Sequence, residues 1–282
     1  MIIFKKAAGI HLYLGKKRNE DLSIGFVPTM GALHKGHLAL IETSKKENAI
    51  TVCSIFINPT QFNDPADFEK YPKTIKQDIY LLETSGCDIL FLPSVDEIYP
   101  GGPESTSHFD LGYLENILEG KYRPGHFQGV CQVVDRLLQI IQPDNLYIGQ
   151  KDYQQCMILK KLVELTGAKT TIHICPTLRE ASGLAMSSRN LRLTEADKEK
   201  ATELFKSLNV IKSELKQGNI SSLKERISRH LNNDGFKVDY VEIANAGTLK
   251  TVEDWDGKIS LVALIAAFLN EVRLIDNMII FP

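Results

Sequence analysis

Short apolar runs alternate with stretches of helical periodicity along the first part of this chain. Two of these runs, at residues 24–27 and 50–57, are rich in large or β-branched residues, and each is soon followed by a proline. Proline has no amide hydrogen for a sheet ladder, so we expect the strands to end at Pro28 and Asn58. Strands that alternate with helices predict an α/β fold with a doubly wound, Rossmann-like parallel sheet. The other elements predicted in this part are helices at 37–46, 74–85, 128–141 and 156–165 and strands at 87–92, 146–148 and 171–175.

The pattern changes after about residue 193. Thr194 precedes acidic residues, which is typical of a helix N-terminus, and polar amphipathic helices are predicted at 195–216 and 221–231. Three strand-like runs follow, and Asn270-Glu271 between the last two suits a tight hairpin. These runs lie at 238–244, 259–268 and 272–280.

Length and composition fit two folded domains. The chain has 282 residues, 43% hydrophobic and 24% charged, and the change of pattern divides it into a Rossmann-like domain over 1–180 and a smaller C-terminal α+β domain over 181–282. A net charge of -2 and a pI of about 6.4 argue against a nucleic-acid-binding surface. The longest apolar run, at 259–269, is too short to span a bilayer. Five scattered cysteines without a CxxC pair predict a cytoplasmic protein with neither disulfides nor a zinc site.

The segment after the first of these strands carries two histidines at the predicted start of a helix. Gly31 and Gly36 allow a sharp turn and a close approach of the backbone, and His34 and His37 are spaced i, i+3. A helix N-terminus that follows a strand is where α/β sheets bind phosphate, because its free N–H groups and the helix dipole face the anion. Two imidazoles there can stabilise the charge that develops in phosphoryl transfer. No Cys, Asp or Glu stands nearby as a third metal ligand, so we favour phosphate binding over a metal site or a surface pair without a role.

Two further polar segments follow predicted strand ends. Asn58 and Gln61 carry amides that can bind hydroxyl or carboxylate oxygens, although Asn58-Pro59 is also an ordinary turn sequence. Lys151 suits a phosphate contact, whereas Asp152 can bind Mg²⁺ or a ribose hydroxyl, or can cap the next helix. Gln155, in the first turn of that helix, is expected to point into the ligand crevice.

Two loops add positive charge and hydroxyl groups. The loop at 183–190 contains Ser187, Ser188 and Arg189, which can wrap a triphosphate, although its composition also fits an interdomain linker. The basic loop at 121–126 is equally compatible with anion binding and with a solvated surface. The sequence contains no Gly-x-Gly-x-x-Gly fingerprint, no P-loop and no serine nucleophile elbow.

These motifs together resemble one family. Residues 28–37 are similar to the His-x-Gly-His signature of the nucleotidyltransferase superfamily, which class I aminoacyl-tRNA synthetases share. The segments at 58–62, 123–127, 149–155 and 183–190 resemble, in order and in spacing, the motifs of the pantothenate synthetases, the pantoate–β-alanine ligases. The resemblance extends from the N-terminus through the C-terminal domain.

The resemblance implies an ATP-dependent ligase. Pantoate carboxylate would attack the α-phosphate of ATP to give pantoyl adenylate and pyrophosphate, and the amine of β-alanine would then release pantothenate and AMP. It also implies Mg²⁺ with the ATP, a C-terminal lid domain and a homodimer, whereas the charge and composition predict no nucleic-acid or membrane partner. The alternatives are a nucleotidylyltransferase of the same superfamily, which stops at the adenylylated product, and a nucleotide-binding regulator without turnover.

Site residues follow from the matching motif positions. The resemblance implies catalytic roles for His34, His37, Lys151 and Arg189. It implies ATP contacts for Met30, His37, Gly149, Lys151, Asp152, Met186, Ser187, Ser188 and Arg189. It implies pantoate contacts for Asn58, Gln61 and Gln155, and a position near Mg²⁺ for Asp78. Thr60, where the family usually has Met, and Lys73, where Arg is frequent, depart from the pattern.

Overall fold

The chain forms two compact units. The computed structural model describes residues 1–62, 68–102 and 107–281. The first unit comprises Met1–Gly149 and Gln155–Pro176, and the second comprises Gln150–Gln154 and Thr177–Pro282. The two units divide at Pro176, and the short segment Gln150–Gln154 belongs to the second unit. The domain bounds 1–180 and 181–282 stay a prediction.

The first unit is built on a six-stranded sheet in which every pair of neighbouring strands is parallel. The strand order β1-β4-β3-β2-β5-β6 confirms the prediction of a Rossmann-like α/β fold. All residues of β3 are buried, as expected for a central parallel strand with helices on both faces. The strands are β1 (Ile2–Phe4), β2 (Ile24–Thr29), β3 (Ile50–Ile55), β4 (Ile89–Phe91), β5 (Asn145–Gly149) and β6 (Thr171–Cys175).

Helices connect these strands and bury their apolar stripes against the sheet. The longest of them in the described ranges buries Val130, Val133 and Leu137 in the main core, which confirms the helical stripe predicted at 128–141. None of the described helices combines the length and the apolar character needed to cross a membrane. The helices are α1 (Ala7–Arg18), α2 (Lys35–Glu47), α3 (Ile75–Thr84), α4 (Val95–Ile98), α5 (Leu118–Tyr122), α6 (His126–Ile141) and α7 (Tyr153–Thr166).

The end of β2 differs from the prediction. The strand runs through Pro28 to Thr29, and Pro28 lies opposite Ser54 in the ladder with β3. On its other side β2 pairs with β5 only at Gly25 and Phe26. By Pro28 the strand therefore has a neighbour on one side only, where a residue without an amide hydrogen is tolerated.

The N-terminal elements β1 and α1 were not predicted. The strand is short and exposes Ile2 and Ile3, and the helix fully buries only Ile10 and Leu14. With so few buried positions, the apolar residues of these two elements show neither a clear helical nor a clear strand periodicity, and the sequence analysis therefore missed both. In the structure β1 is nonetheless a parallel edge strand beside β4.

The second unit is an antiparallel α+β structure with its own core. The hairpin between its last two long strands turns at Asn270, whose φ of 51° is the left-handed conformation that such turns favour, so this prediction is confirmed. The helix predicted at 195–216 is divided near Thr202, whose hydroxyl donates to the Glu199 carbonyl. The helices are α8 (Glu195–Ala201), α9 (Glu203–Glu214) and α10 (Ser221–Asn233), and the strands are β7 (Gly218–Asn219), β8 (Lys237–Asn245), β9 (Asp254–Trp255), β10 (Leu261–Leu269) and β11 (Val272–Ile280).

Candidate active site

The loop between β2 and α2 is held by a buried carboxylate. Gly31 and Ala32 both have positive φ, 82° and 49°, which turns the main chain sharply after the strand. The carboxylate of Asp78, only 1% exposed, accepts hydrogen bonds from Ala32 N at 3.0 Å and Leu33 N at 2.8 Å. The hydroxyl of Thr74 donates to the same carboxylate at 3.1 Å. Asp78 therefore fixes the conformation of the loop that leads to the histidines.

His34 and His37 form the capping box of α2. His34 is the N-cap residue, and its Nδ1 accepts a hydrogen bond from Gly36 N at 3.1 Å. His37 occupies the third helical position, and its Nδ1 lies 3.3 Å from His34 N, which donates to it. The two half-buried rings lie with their centroids 4.0 Å apart. An Nδ1 that accepts carries no proton, so each neutral ring has its proton on Nε2.

The turn after β3 brings two of the predicted pantoate residues, Asn58 and Gln61, together with Met30. Gln61 Nε2 is 2.8 Å from Met30 Sδ, and Asn58 Nδ2 donates to Gln61 Oε1 at 3.3 Å. Asn58 is 1% exposed, and its buried amide is satisfied because it also donates to Gly129 O and accepts from the Tyr99 hydroxyl at 2.9 Å. These contacts make Asn58 the residue that orients the Gln61 amide, and a direct pantoate contact for Asn58 stays a prediction.

The loop at 121–126 supports the same turn. His126 is buried, and its Nδ1 lies 2.8 Å from the main-chain oxygen of Gln61. Arg123 Nη1 lies 3.1 Å from His126 Nε2 and 4.0 Å from a carboxylate oxygen of Glu119. The sequence left this loop open as an anion-binding site or a solvated surface. Neither interpretation describes His126, which supports the main chain of Gln61 from within the fold.

Two more predicted residues of the first unit, Gly149 and Gln155, lie at the end of β5 and in the first turn of α7. Gly149 is the last residue of β5, and its carbonyl accepts from Cys156 Sγ at 3.4 Å. Gln155 is half-buried in the first turn of α7. Their assigned contacts with ribose and pantoate stay predictions.

Lys151 and Asp152 belong to the second unit and lie in a 3-10 turn, Gln150–Asp152. Lys151 Nζ is 3.6 Å from Asp152 Oδ1, and the lysine is the more buried of the two. The lysine charge is thus held beside a carboxylate on its own turn. The roles of Asp152 as a ribose contact and as a helix cap both stay predictions.

The loop at 183–190 has a defined conformation in the second unit. Ser187 caps the 3-10 helix Ser188–Arg192, since its Oγ accepts from Arg189 N at 3.3 Å. Asn190 Nδ2 donates to Ala185 O at 3.0 Å. Ser188 is buried, whereas Met186, Ser187 and Arg189 are half-buried. The loop therefore has an internal structure that a plain linker would lack.

Comparison with known proteins decides the family. The sequence model described as pantoate-beta-alanine ligase matches residues 2–279. This chain belongs to the pantoate–β-alanine ligase family. A pantothenate synthetase from Cytophaga hutchinsonii is 44% identical over 99% of this chain and 99% of its own length.

Solved structures of family members have the same fold. The crystal structure of pantothenate synthetase from Thermus thermophilus matches with a TM-score of 0.90 at 37% identity and covers 100% of both chains. The pantoate–β-alanine ligase from Francisella tularensis, solved with beta-gamma ATP and β-alanine, matches with a TM-score of 0.82 at 41% identity over 99% of this chain and 97% of that chain.

The family resemblance also places Asp78 near Mg²⁺, and the contacts described above do not fit a direct metal ligand. Each of its carboxylate oxygens already accepts a main-chain hydrogen bond, and the residue is almost fully buried. Mg²⁺ usually keeps several water ligands and therefore favours carboxylates that are more accessible than one that is 1% exposed. The position of Asp78 near the ion stays a prediction.

Three supporting residues of this pantoate–β-alanine ligase family member were missed by the sequence analysis. Thr29 Oγ1 accepts from Gly31 N, and the Tyr99 hydroxyl donates to Asn58. At Gly129 a Cβ would lie 2.5 Å from the Thr60 carbonyl oxygen, so only glycine allows α6 to approach the turn. The sequence did offer a signal for Gly129. A glycine inside a strongly periodic helix usually allows another part of the chain to pack closely against the helix.

Proposed function

We propose that this chain joins pantoate to β-alanine with ATP, through a pantoyl adenylate. A pantoate carboxylate oxygen forms a bond to the α-phosphorus as the bond to pyrophosphate breaks. The amine of β-alanine then attacks the acyl carbon of the adenylate and loses a proton. The bond from that carbon to the AMP oxygen breaks, the carbonyl re-forms, and AMP leaves. Membership in the pantoate–β-alanine ligase family over residues 2–279 is the observation that carries the proposal.

The histidine pair supplies the electrostatic part of the first step. Both Nδ1 atoms are occupied by the helix cap, so His34 and His37 offer Nε2–H groups as neutral donors. Donors of this kind, held by a helix N-terminus, stabilise the charge that develops on the phosphate oxygens without moving during the reaction. The cap thus sets both the position and the tautomer of the catalytic rings.

The amides of the first unit bind the acid substrate in this proposal. Gln61 and Gln155 donate to pantoate hydroxyl and carboxylate oxygens, and Asn58 holds the Gln61 amide in place. Buried amides that are already oriented recognise an oxygen-rich substrate with little loss of entropy. The F. tularensis relative was solved with beta-gamma ATP and β-alanine, which supports a site for the same amine here.

The remaining predicted site residues bind the nucleotide in this proposal. Lys151, Ser187, Ser188 and Arg189 bind the polyphosphate, Met30 and Met186 contact the nucleotide, and Gly149 and Asp152 lie along the ribose. Lysine serves as a point charge, whereas arginine offers a planar fork of donors. Lys151 and Arg189 would share the polyphosphate with a Mg²⁺ ion bound to ATP, and the ion would supply further positive charge to the phosphates.

We further propose a homodimer in the cytoplasm. β6 is the last strand in the sheet order, so one of its edges has no partner strand within the described residues. An open edge with half-buried side chains suits a second copy of the chain. All five cysteines are free thiols and four are buried, which fits a reducing compartment.

One assay separates this function from its alternatives. With ATP, Mg²⁺ and pantoate, the purified chain is expected to exchange labelled pyrophosphate into ATP. With β-alanine added, AMP, pyrophosphate and pantothenate are expected in equal amounts. Pyrophosphate exchange without amine-dependent AMP release would instead indicate a nucleotidylyltransferase, and ATP binding without either activity would indicate a regulator.

A further inference from the structure

Two adjacent residues of β11, Asp276 and Asn277, are buried and polar. They are 4% and 2% exposed. Leu274 and Ile280 of the same strand belong to the core of the second unit, so by alternation Asp276 stands on the apolar face. A charge and an amide buried in this way are unfavourable unless fully hydrogen-bonded. Their bonding partners therefore indicate what the two positions do.

Asp276 fixes the beginning of the loop at 183–190 through Arg179. The guanidinium binds the carboxylate with two hydrogen bonds, of 2.6 Å and 2.9 Å, and also donates to the Gly183 carbonyl at 3.1 Å. Its central carbon lies 4.1 Å from the centre of the Phe205 ring. Gly183 has a φ of 94°, and a Cβ there would lie 2.4 Å from the same ring. The loop thus starts from a point held by an ion pair and an aromatic ring.

Asn277 holds the turn that carries Lys151. Its Nδ2 donates to the main-chain oxygens of Gln150 and Lys151 at 3.0 Å and 2.8 Å, and its Oδ1 lies 3.3 Å from Gln150 Nε2. At the other end of this segment the Tyr153 hydroxyl donates to Ala246 O at 2.7 Å. The five-residue segment is therefore fixed to the second unit at both ends.

The two anchors are directly joined. Asp276 Oδ1 accepts from Asn277 N at 2.7 Å, and Arg179 Nη2 donates to the Asn277 carbonyl at 3.3 Å. We propose that Asn277 and the Arg179–Asp276 pair are positioning residues that set Lys151 against the loop at 183–190, so that both meet the polyphosphate of ATP together. This inference rests on the proposed function, which assigns the phosphate contacts to Lys151 and to Ser187, Ser188 and Arg189.

The test changes the anchor and leaves the phosphate-binding side chains in place. Asn277→Asp keeps the size of the side chain but replaces the donating nitrogen with an oxygen that repels the two carbonyls. Because a shift of about 1 Å in a catalytic group can reduce the rate on the order of 10²-fold, we expect kcat/KM for ATP in pyrophosphate exchange to fall by about that factor. The KM for β-alanine is expected to stay unchanged. Asn277→Ala removes the bonds without repulsion and should give the same pattern at smaller amplitude.

A double variant shows whether Asn277 acts through the lysine. If it does, Lys151→Ala/Asn277→Asp exchanges pyrophosphate no more slowly than Lys151→Ala alone, since the effects of coupled residues do not add. The matched control is Asp239→Asn, which breaks the 2.7 Å ion pair with Arg273 near the hairpin end of β11 and should leave exchange unchanged.

The outcomes separate the inference from the function beneath it. If folded Asn277→Asp and Asn277→Ala exchange pyrophosphate at the wild-type rate, the positioning role is overturned. It is also overturned if the fold-reduction of the double variant equals the product of the two single fold-reductions. An equal loss of activity in Asp239→Asn would also overturn it, because any damage to β11 would then suffice. Absence of pantoate-dependent exchange in the wild type would instead refute the proposed function.

Discussion

Among the described helices, α2 in the first unit and α8 in the second each begin with a capping box, and the two boxes use different chemistry. In α8, Thr194 Oγ1 accepts from Asp197 N at 3.1 Å, and Asp197 Oδ2 accepts from Thr194 N at 3.3 Å. In α2, the same two positions are occupied by His34 and His37. Hydroxyl and carboxylate or amide groups are the usual side chains of a capping box, so capping alone does not require imidazoles.

The difference lies in what remains after the cap is made. In the α8 box, Thr194 Oγ1 also donates to Asp197 Oδ2 at 2.7 Å, and Asp197 Oδ1 accepts from Asn270 Nδ2 at 3.0 Å, so both side chains are bonded within the second unit. A histidine that caps through Nδ1 keeps a second, oppositely placed nitrogen with a proton. The α2 box therefore combines a structural role with a pair of oriented donors, and the α8 box has the structural role alone.

The largest effect is expected when α2 receives an ordinary box. His34→Thr/His37→Gln keeps a Thr-x-x-Gln capping pattern, so the thermal midpoint should change little. Pyrophosphate exchange should fall by about 10²–10³-fold for each lost donor, because these donors act on the transition state. Pyrophosphate exchange rates and thermal melts of the double variant and the wild type measure the loss of activity and the change in stability. Near-normal exchange in a folded variant would show that the imidazoles serve only as caps.

A smaller effect is expected from Asp78→Asn, which weakens the loop before the α2 box. The amide replaces one carboxylate oxygen with a donor that faces a main-chain N–H, so the free energy of unfolding should fall by about 1–3 kcal/mol. The rate should fall as the loop shifts, while the Mg²⁺ concentration for half-maximal rate should not change. Titrations of Mg²⁺ and denaturant distinguish the roles: a raised Mg²⁺ requirement with unchanged stability would identify Asp78 as a metal ligand.

The turn at Asn58–Gln61 should respond to a single methyl group on α6. In Gly129→Ala the new Cβ meets the Thr60 carbonyl and displaces the turn, so the KM for pantoate should rise by roughly tenfold while that for ATP stays constant. Gly15→Ala in α1 is the matched control, since its nearest neighbour would be Arg18 Nη2 at 3.9 Å. That control should stabilise the chain by about 0.5–1 kcal/mol without affecting either KM. A parallel rise in both KM values for Gly129→Ala would contradict a pantoate-specific role.

Local patterns predicted much of this structure. The Thr194 cap, the strand and helix around the histidine pair, and the Asn270-Glu271 hairpin all depend on residues a few positions apart, within reach of sequence periodicity. The parallel sheet followed from the alternation of such patterns. The end of β2 could not be predicted in this way. The strand tolerates Pro28 only because its pairing with β5, which is distant in sequence, ends before that residue.

The supports of the candidate site lay beyond the reach of the sequence. Tyr99 and Gly129 contact Asn58 across 41 and 71 residues, and Asn277 contacts Lys151 across 126. Such partners have no fixed spacing, and a lone buried Asn or Tyr has no periodic signature. The motifs thus indicate candidate chemical groups, whose roles stay predictions, whereas the residues that hold these groups in place required the fold.

The smallest effect should come from the α8 box, and it should appear only in stability. Thr194→Ala removes one cap bond and is expected to lower the thermal midpoint by about 2–4 °C near neutral pH, with no change in exchange or ligation. The Thr194 hydroxyl bond to the carboxylate holds the pKa of Asp197 below its ordinary value. A lowered pKa in the folded state means that this stabilisation is present above the ordinary pKa of aspartate and is lost as the pH falls through the lowered one. The difference in thermal midpoint between the variant and the wild type should therefore shrink in acid. A loss of activity in Thr194→Ala at neutral pH would show that the two boxes do not differ in the way proposed, and that the α8 box also takes part in catalysis.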